Sequence, residues 1–183
     1  MHNSLQSNLL LLLENVPSLN TDVRRRFITR ITEGNLTRDE NPLSHLCVYF
    51  AAYDPKKRQV FMGKHIKSGL WLFNGGHVDK NESLEAALYR EMQEEWGLVQ
   101  KININTPSLF TITKIENPKK QTCEWHYDIW YFIPFKKDLF HPIQKLLSKE
   151  FFEWGWKTTD EAQILARDRA TLIGIDAIAS QSI

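Results

Sequence analysis

Glutamates crowd the end of one predicted helix. Glu91, Glu94 and Glu95 fall in its last turn, where carboxylates face the negative end of the helix macrodipole and repel one another. At about 100° per residue, Glu91 and Glu95 share the apolar arc of the helix, and Glu94 lies on its flank beside Arg90. Because unpaired buried carboxylates are costly and Mg²⁺ prefers oxygen ligands, this pattern indicates a site for a hard divalent cation.

The residues that flank this helix suit the same purpose. Asn81 is placed to cap a helix that begins at Glu82, and Gly97 is suited to end it. Gly75 and Gly76 lie between a strand-like "LWLF" and the loop before the helix. A backbone without side chains can turn sharply there and bring a carbonyl close to a ligand. We therefore expect a carbonyl and a row of carboxylates to converge on one point.

Other segments of the chain must position these residues. Two helices are predicted before a polar connector, over 3–15 and about 20–33. Strand-like runs rich in β-branched and aromatic residues follow at 44–54, 58–65, 107–116, 124–135 and 150–158. A helix over 159–170, opened by Thr159 or Asp160, comes next, and the apolar tail after it is ambiguous in type. Strands in the middle with helices around them predict a mixed α/β layer structure.

The spacing of the polar and glycine positions resembles that of a known family. The fixed positions of the Nudix box are all filled, by Gly76, Glu82, Arg90, Glu91, Glu94, Glu95, Gly97 and the apolar residues between and after them. The flanking "KHIKSGLWLFNGGH" and "WHYDIWYFI" are similar to a bacterial Nudix subgroup with a helical N-terminal extension. The resemblance implies an αβα sandwich with a mixed β-sheet, with residues 1–40 as the extension and 41–183 as the Nudix domain.

The resemblance also implies roles in metal binding. Gly75 would lend its carbonyl to Mg²⁺, or to Mn²⁺ in its place. Glu91 and Glu95 would be direct ligands, and Glu94 a ligand directly or through water. Glu82 and Arg90 would stand behind them, with the arginine orienting the carboxylates.

The implied reaction is hydrolysis of a phosphoanhydride bond in a nucleoside diphosphate linked to another moiety, or in a nucleoside triphosphate. A metal neutralises the pyrophosphate and activates a bound water, and a carboxylate such as that of Glu91 takes the proton. Which glutamate acts as the base stays open. Asn74 stands where the family commonly has proline, which leaves the details of that loop open as well.

Two further functions compete with this one. A nucleotide-sensing or partner-binding module on the same scaffold would account for the extra N-terminal helices. An isomerase of the isoprenoid diphosphate type would need an acid–base cysteine, and Cys123 is the candidate near a predicted site strand. The sequence does not choose a substrate, because specificity in such a fold comes from loops outside the motif.

For several polar residues outside the motif, the sequence allows two roles. His126 and Asp128 alternate onto one face of a predicted strand, where they would line the site or satisfy each other. Glu150 and Glu153 would be an additional base or metal ligand, although surface glutamates are the commoner fate. His77 would touch substrate or bond to backbone. We expect the strand tryptophans to pack in the core.

The composition excludes broad electrostatic partners. The 23 basic and 22 acidic residues nearly cancel, so we expect neither a nucleic-acid polymer nor an anionic membrane as a partner. The apolar run at 8–13 is too short to span a bilayer, and Cys47 and Cys123 match no metal spacing. We therefore expect a cytoplasmic protein with reduced thiols that acts on a small nucleotide-like substrate. Dimers are common in such enzymes, so a homodimer is compatible with this expectation.

Overall fold

A computed structural model describes residues 4–16, 19–98, 106–115 and 122–181. The strands are β1 Ser44–Asp54, β2 Gln59–His65, β3 Trp71–Leu72, β4 Asn74–His77, β5 Leu109–Lys114, β6 Trp125–Pro134 and β7 Phe151–Thr158. The helices are α1 Ser4–Glu14, α2 Thr21–Glu33, α3 Leu84–Trp96, α4 Gln144–Glu150, α5 Thr159–Leu165 and α6 Arg169–Gln181, with a 3₁₀ turn at Lys137–Leu139. None of these helices is long and apolar enough to cross a membrane.

The strands form one mixed sheet of seven strands, which confirms the predicted fold class. Its path runs β3-β2-β1-β6-β5, while β4 pairs with β1 and β7 pairs with β2. Strand β1 is the hub, because it runs parallel to β6 and antiparallel to both β2 and β4. The turn predicted at "DPKK" joins β1 to β2. The turn predicted between β5 and β6 lies almost entirely outside the described residues, although the two strands pair antiparallel.

Apolar residues on each side of the sheet pack against helices, which gives the three layers. Leu46, Val48 and Phe50 of β1 join a core cluster with residues of α1, α2 and α3. On the other side, Ala51 joins a second cluster with residues of α5 and α6. Because successive strand residues point to opposite faces, β1 contributes side chains to both clusters. Trp130 is fully buried and Trp71 is buried in the second cluster, as predicted for strand tryptophans, whereas Trp125 is only half-buried.

The two N-terminal helices form as predicted and share the main core. The Asn20 side chain accepts hydrogen bonds from the first turn of α2, and Gly34 ends that helix. Leu9 and Phe27 lie fully buried in the cluster with β1 and α3. The division of the chain at residues 40 and 41 stays a prediction.

The start of α3 differs from the prediction. The helix begins at Leu84 with Ser83 as its N-cap, whose hydroxyl accepts a hydrogen bond from the Ala86 N–H. Asn81 instead has a positive φ of 68°, which belongs to a turn and cannot open a helix. Glu82 therefore lies in the turn before the helix. Gly97 adopts the left-handed conformation and ends α3 as predicted.

Local capping and pairing explain the other differences. The pairing of Gly75 and Gly76 with β1, as part of strand β4, was not predicted. The helix predicted over 159–170 is two helices, α5 and α6, and the second takes in the ambiguous tail. The N-cap of α5 is Thr158, which forms a reciprocal capping box with Glu161, and not Thr159 or Asp160. Helix α4 was not predicted.

Candidate active site

Glu95 anchors the end of α3 to strand β4. Its side chain is 6% exposed. One carboxylate oxygen accepts a hydrogen bond from Asn74 Nδ2, and the other lies 3.3 Å from the Gly75 backbone nitrogen, which donates to it. Burial raises the pKa of Glu95 to about 8, and the neighbouring charge of Glu91 acts in the same direction. Burial therefore favours the protonated form of Glu95, and a nearby positive charge would favour the ionised form.

Glu91 lies against the backbone of Gly76. A Cβ at Gly76 would overlap the carboxylate of Glu91, so glycine at this position leaves room for that carboxylate where it lies. Glu91 Oε1 accepts a hydrogen bond of 2.7 Å from Arg90 Nη1. Burial is still the larger influence, and it raises the pKa of Glu91.

Arg90 forms hydrogen bonds that hold several parts of the site together. Its Nε lies 2.7 Å from Glu82 Oε1 and its Nη2 lies 2.8 Å from Glu82 Oε2, a two-point contact. The same Nη2 donates to the His77 backbone carbonyl at 2.9 Å. The contact with Glu82 raises the pKa of Arg90 and lowers the pKa of Glu82. The turn before α3, strand β4 and the helix itself are thus tied together by one guanidinium.

Glu94 faces outward, in contrast to its two neighbours in the motif. Its side chain is 60% exposed and one oxygen lies 3.5 Å from Arg90 Nη1. Glu91 and Glu95 are buried, so the predicted division between arc and flank is confirmed. The three carboxylates therefore run from the interior of the protein to its surface.

The donor set fits a hard cation. Besides the carboxylates, the Asn74 Oδ1 atom is buried and has no hydrogen-bond partner among the described residues. An orphaned amide oxygen beside buried carboxylates with raised pKa values is an arrangement that a divalent cation would satisfy. Asn74 was noted in the sequence only as a departure from the family pattern, and nothing in the sequence showed that its side chain would bond Glu95.

His77, His126 and Asp128 lie on the opposite face of the sheet. Gly76 faces Glu91, and alternation along β4 turns the His77 side chain the other way, where its ring meets those of His45 and His126. Asp128 accepts hydrogen bonds from Thr111 and Thr113. These side chains do not join the glutamates.

The two later glutamates separate from each other. Glu150 is near enough to Glu95 for its charge to contribute to that residue's raised pKa, and it also lies 3.6 Å from His65 Nε2. Glu153 is exposed and pairs with Lys157 at 3.7 Å. Glu150 is therefore the one of the pair whose charge acts on Glu95.

Comparisons with known proteins agree with the motif. The NUDIX domain model matches residues 43–174. An RNA pyrophosphohydrolase of Xanthomonas axonopodis pv. citri (strain 306) is 24% identical over 110 residues, which cover 54% of this chain and 52% of the relative. The chain thus spans about half the length of that curated relative.

Solved structures share the fold. The dihydroneopterin triphosphate pyrophosphohydrolase of E. coli aligns with a TM-score of 0.59 at 15% identity, over 74% of this chain and 95% of that one. The NUDIX domain of Shewanella oneidensis NrtR, solved in complex with ADP ribose, aligns with a TM-score of 0.56 at 16% identity, over 77% and 88% of the two chains. At such identities the likeness concerns the fold.

Proposed function

The chain belongs to the Nudix family, and from that premise we propose that it is a Mg²⁺-dependent hydrolase. Its reaction is cleavage of a phosphoanhydride bond in a small nucleotide-like substrate, either a nucleoside triphosphate or a nucleoside diphosphate linked to another moiety. Residues 41–183 would carry the activity, and residues 1–40 would be an extension packed on the same core.

One observation carries the proposal. Glu91 and Glu95 are buried on one turn of α3, directly against the backbone of β4. Arg90 forms an ion pair with Glu91, and among the described residues no ion pair reaches Glu95. Because that arginine is also committed to Glu82, it does not neutralise both. A bound divalent cation would complete the balance, with Glu91, Glu94, Glu95 and the Gly75 carbonyl as the proposed ligands.

The residues of the chain would then have distinct tasks. When bound, the cation would neutralise the pyrophosphate and lower the pKa of a bound water. Arg90 would hold Glu91 in one orientation through its contacts with Glu82 and the His77 carbonyl. Asn74 would fix Glu95 in the same way. Glu91 would accept the proton of the attacking water.

The test is turnover of a substrate panel with and without Mg²⁺. Purified protein is given nucleoside triphosphates, dinucleotides and nucleotide sugars, and released phosphate or pyrophosphate is measured. We expect metal-dependent turnover on at least one of them. Glu95→Gln should reduce it by about a hundred- to a thousandfold, the scale for losing one group that stabilises developing charge.

A glutamate elsewhere on α3 provides the control. Glu85 lies in the first turn of the helix and is exposed, so Glu85→Gln should leave turnover within about twofold of the unaltered protein. Turnover that persists at the unaltered rate in both Glu94→Gln and Glu95→Gln would remove the hydrolase proposal.

A nucleotide-sensing module is the second candidate. Leu11 of α1 is 61% exposed and Ile28 of α2 is 42% exposed, so the N-terminal helices carry apolar side chains on their surface. Tight nucleotide binding without turnover, together with a partner that needs residues 1–40, would favour it. The isomerase alternative receives no support, since the Cys123 sulfur lies 3.8 Å from His77 Nε2, on the histidine face, and not among the glutamates.

A further inference from the structure

Three histidines and one cysteine meet on the sheet face opposite the glutamates. The ring centroids of His45 and His77 are 4.7 Å apart, those of His45 and His126 are 5.1 Å apart, and those of His77 and His126 are 5.2 Å apart. Cys123 Sγ lies 3.8 Å from His77 Nε2. One potential ligand atom from each of the four lies within 4.8 Å of every other. We call these four residues the histidine cluster.

Strand register brings the histidine cluster together. His45 is paired with His126 across the parallel strands β1 and β6. Cys47, two residues after His45 and on the same face, is paired with His77 across β1 and β4. Cys123 precedes β6 by two residues. The four side chains therefore come from three segments of the chain, which the sheet holds side by side.

Three of the six ring nitrogens of the cluster are buried without hydrogen-bond partners among the described residues. His45 is 0% exposed and His126 is 7% exposed. Among the described residues, His45 Nε2 and both nitrogens of His126 have no hydrogen-bond partner. Burial of unpaired polar atoms is unfavourable, and native proteins satisfy the great majority of them. These nitrogens lack the partner that their burial calls for.

We propose that the histidine cluster is a zinc site, with three imidazole nitrogens and the Cys123 thiolate as its ligands. Zinc bonds of about 2.0–2.1 Å to nitrogen and about 2.3 Å to sulfur place tetrahedral ligand atoms roughly 3.3–3.8 Å apart. Small side-chain rotations bring the observed atoms to that spacing. Imidazole and thiolate donors suit Zn²⁺ and not Mg²⁺. On binding, the Cys123 thiol loses its proton to solvent as the sulfur–zinc bond forms.

The surroundings of the cluster orient its ligands. His45 Nδ1 lies 2.9 Å from the Asn41 carbonyl, so it donates there and leaves Nε2 free as the ligand atom. Asp128 and Cys47 offer atoms within 4.8 Å of a His126 nitrogen, and Asp128 Oδ1 has no partner among the described residues. With one His126 nitrogen on zinc, the other can donate to Asp128, the carboxylate–histidine–metal arrangement.

One nearby charge works against a cation. Arg38 Nη1 lies 3.4 Å from His77 Nδ1, and the arginine side chain is exposed. With zinc on Nε2, His77 carries its proton on Nδ1 and can no longer accept from Arg38, which turns outward. Arg38→Ala should therefore bind zinc at least as tightly as the unaltered protein.

The test is metal titration of the purified full chain after removal of bound metal. We expect a single Zn²⁺ per chain by elemental analysis and competition with a chromophoric chelator. Co²⁺ in its place should give tetrahedral visible bands and a thiolate-to-cobalt charge-transfer band. Cys123→Ser should abolish the charge-transfer band, and His126→Gln should weaken binding by at least about a hundredfold, more than loss of an outer partner.

Matched variants separate this site from the glutamates and from unfolding. His141 is exposed and outside the cluster, so His141→Gln should bind zinc unchanged, and so should Glu95→Gln. Far-ultraviolet circular dichroism checks that each variant is folded. If His126→Gln does not fold, Asp128→Asn replaces it, with an expected loss of about ten- to a hundredfold in affinity. Zinc binding that is absent, or that is unchanged in Cys123→Ser, would overturn the proposal.

Discussion

The two faces of strand β1 carry two different kinds of candidate metal site. On one face, Val48 packs toward α3, and the carboxylates of Glu91 and Glu95 lie against the neighbouring strand. On the other, His45 points into a cluster of imidazoles and a thiol. The first donor set is oxygen and reaches the surface through Glu94, which is 60% exposed. The second is nitrogen and sulfur and is closed to solvent at His45, so the first suits turnover and the second suits a structural metal.

A large loss of turnover should follow from Gly76→Ala, which would break the comparison on the carboxylate side. A Cβ at Gly76 would overlap the Glu91 carboxylate, so the strand or the side chain must move. Displacement of a reacting group by about 1 Å costs on the order of a hundredfold in turnover. We expect such a loss in steady-state kinetics with Mg²⁺, while Zn²⁺ binding on the other face persists.

A glycine outside both sites controls for the backbone effect of this substitution. Gly69 has a φ of 71°, and a Cβ there would meet nothing within 4 Å. Gly69→Ala should lower the free energy of unfolding because of its left-handed backbone, with turnover close to that of the unaltered protein. Equal turnover in Gly76→Ala and Gly69→Ala would mean that the close approach to Glu91 has no role in catalysis.

A smaller loss should follow from Arg90→Lys. The guanidinium contacts both oxygens of Glu82, one oxygen of Glu91 and the His77 carbonyl. An ammonium keeps the charge but not the planar fork, so it cannot hold all of these at once. We expect turnover to fall by about ten- to a hundredfold, the range for residues that orient metal ligands. If Arg90→Lys matched the unaltered enzyme in turnover and Mg²⁺ dependence, the positive charge of Arg90, and not its hydrogen-bond geometry, would account for its role.

The same two faces show how far the sequence reaches. Glu91, Glu94 and Glu95 lie on one helix, and helical periodicity relates them without knowledge of the fold. The burial of Glu91 and Glu95, the exposure of Glu94 and the end of α3 at Gly97 were all predictable from that local pattern. The cap was not, because the positive φ of Asn81 depends on the turn that precedes α3.

The histidine cluster could not be predicted in this way. Its members come from three distant segments of the chain, and these meet only because β1 pairs with β4 on one side and β6 on the other. That register depends on the packing of the whole sheet. The hydrogen bond from Asn74 to Glu95 has the same origin, since it needs β4 to lie beside the end of α3. Contacts between distant segments are what the sequence left open.

The pH dependence of stability gives a last comparison, through one acid on each face. Burial raises the pKa of Glu95 from 4.5 to about 8 and that of Asp128 from 3.8 to about 7. Between these limits each of these two acids holds in the folded state a proton that the unfolded chain has lost, so its contribution to the free energy of unfolding falls as pH rises. Each group contributes at most about 1.4 kcal/mol per pH unit. Below the lower limits both states are protonated and the contribution is complete.

Urea titrations of the metal-free protein between pH 4.5 and 8 measure this slope. Glu95→Gln should flatten it, since glutamine does not titrate, and the Asp128 contribution should remain and end near pH 7. Saturating Mg²⁺ should restore stability at the alkaline end in the unaltered protein, because the cation favours the ionised carboxylate. It should do much less in Glu95→Gln. Superimposable slopes for the two proteins would mean that Glu95 ionises as easily in the fold as in the unfolded chain, and the electrostatic case for a cation beside it would fail.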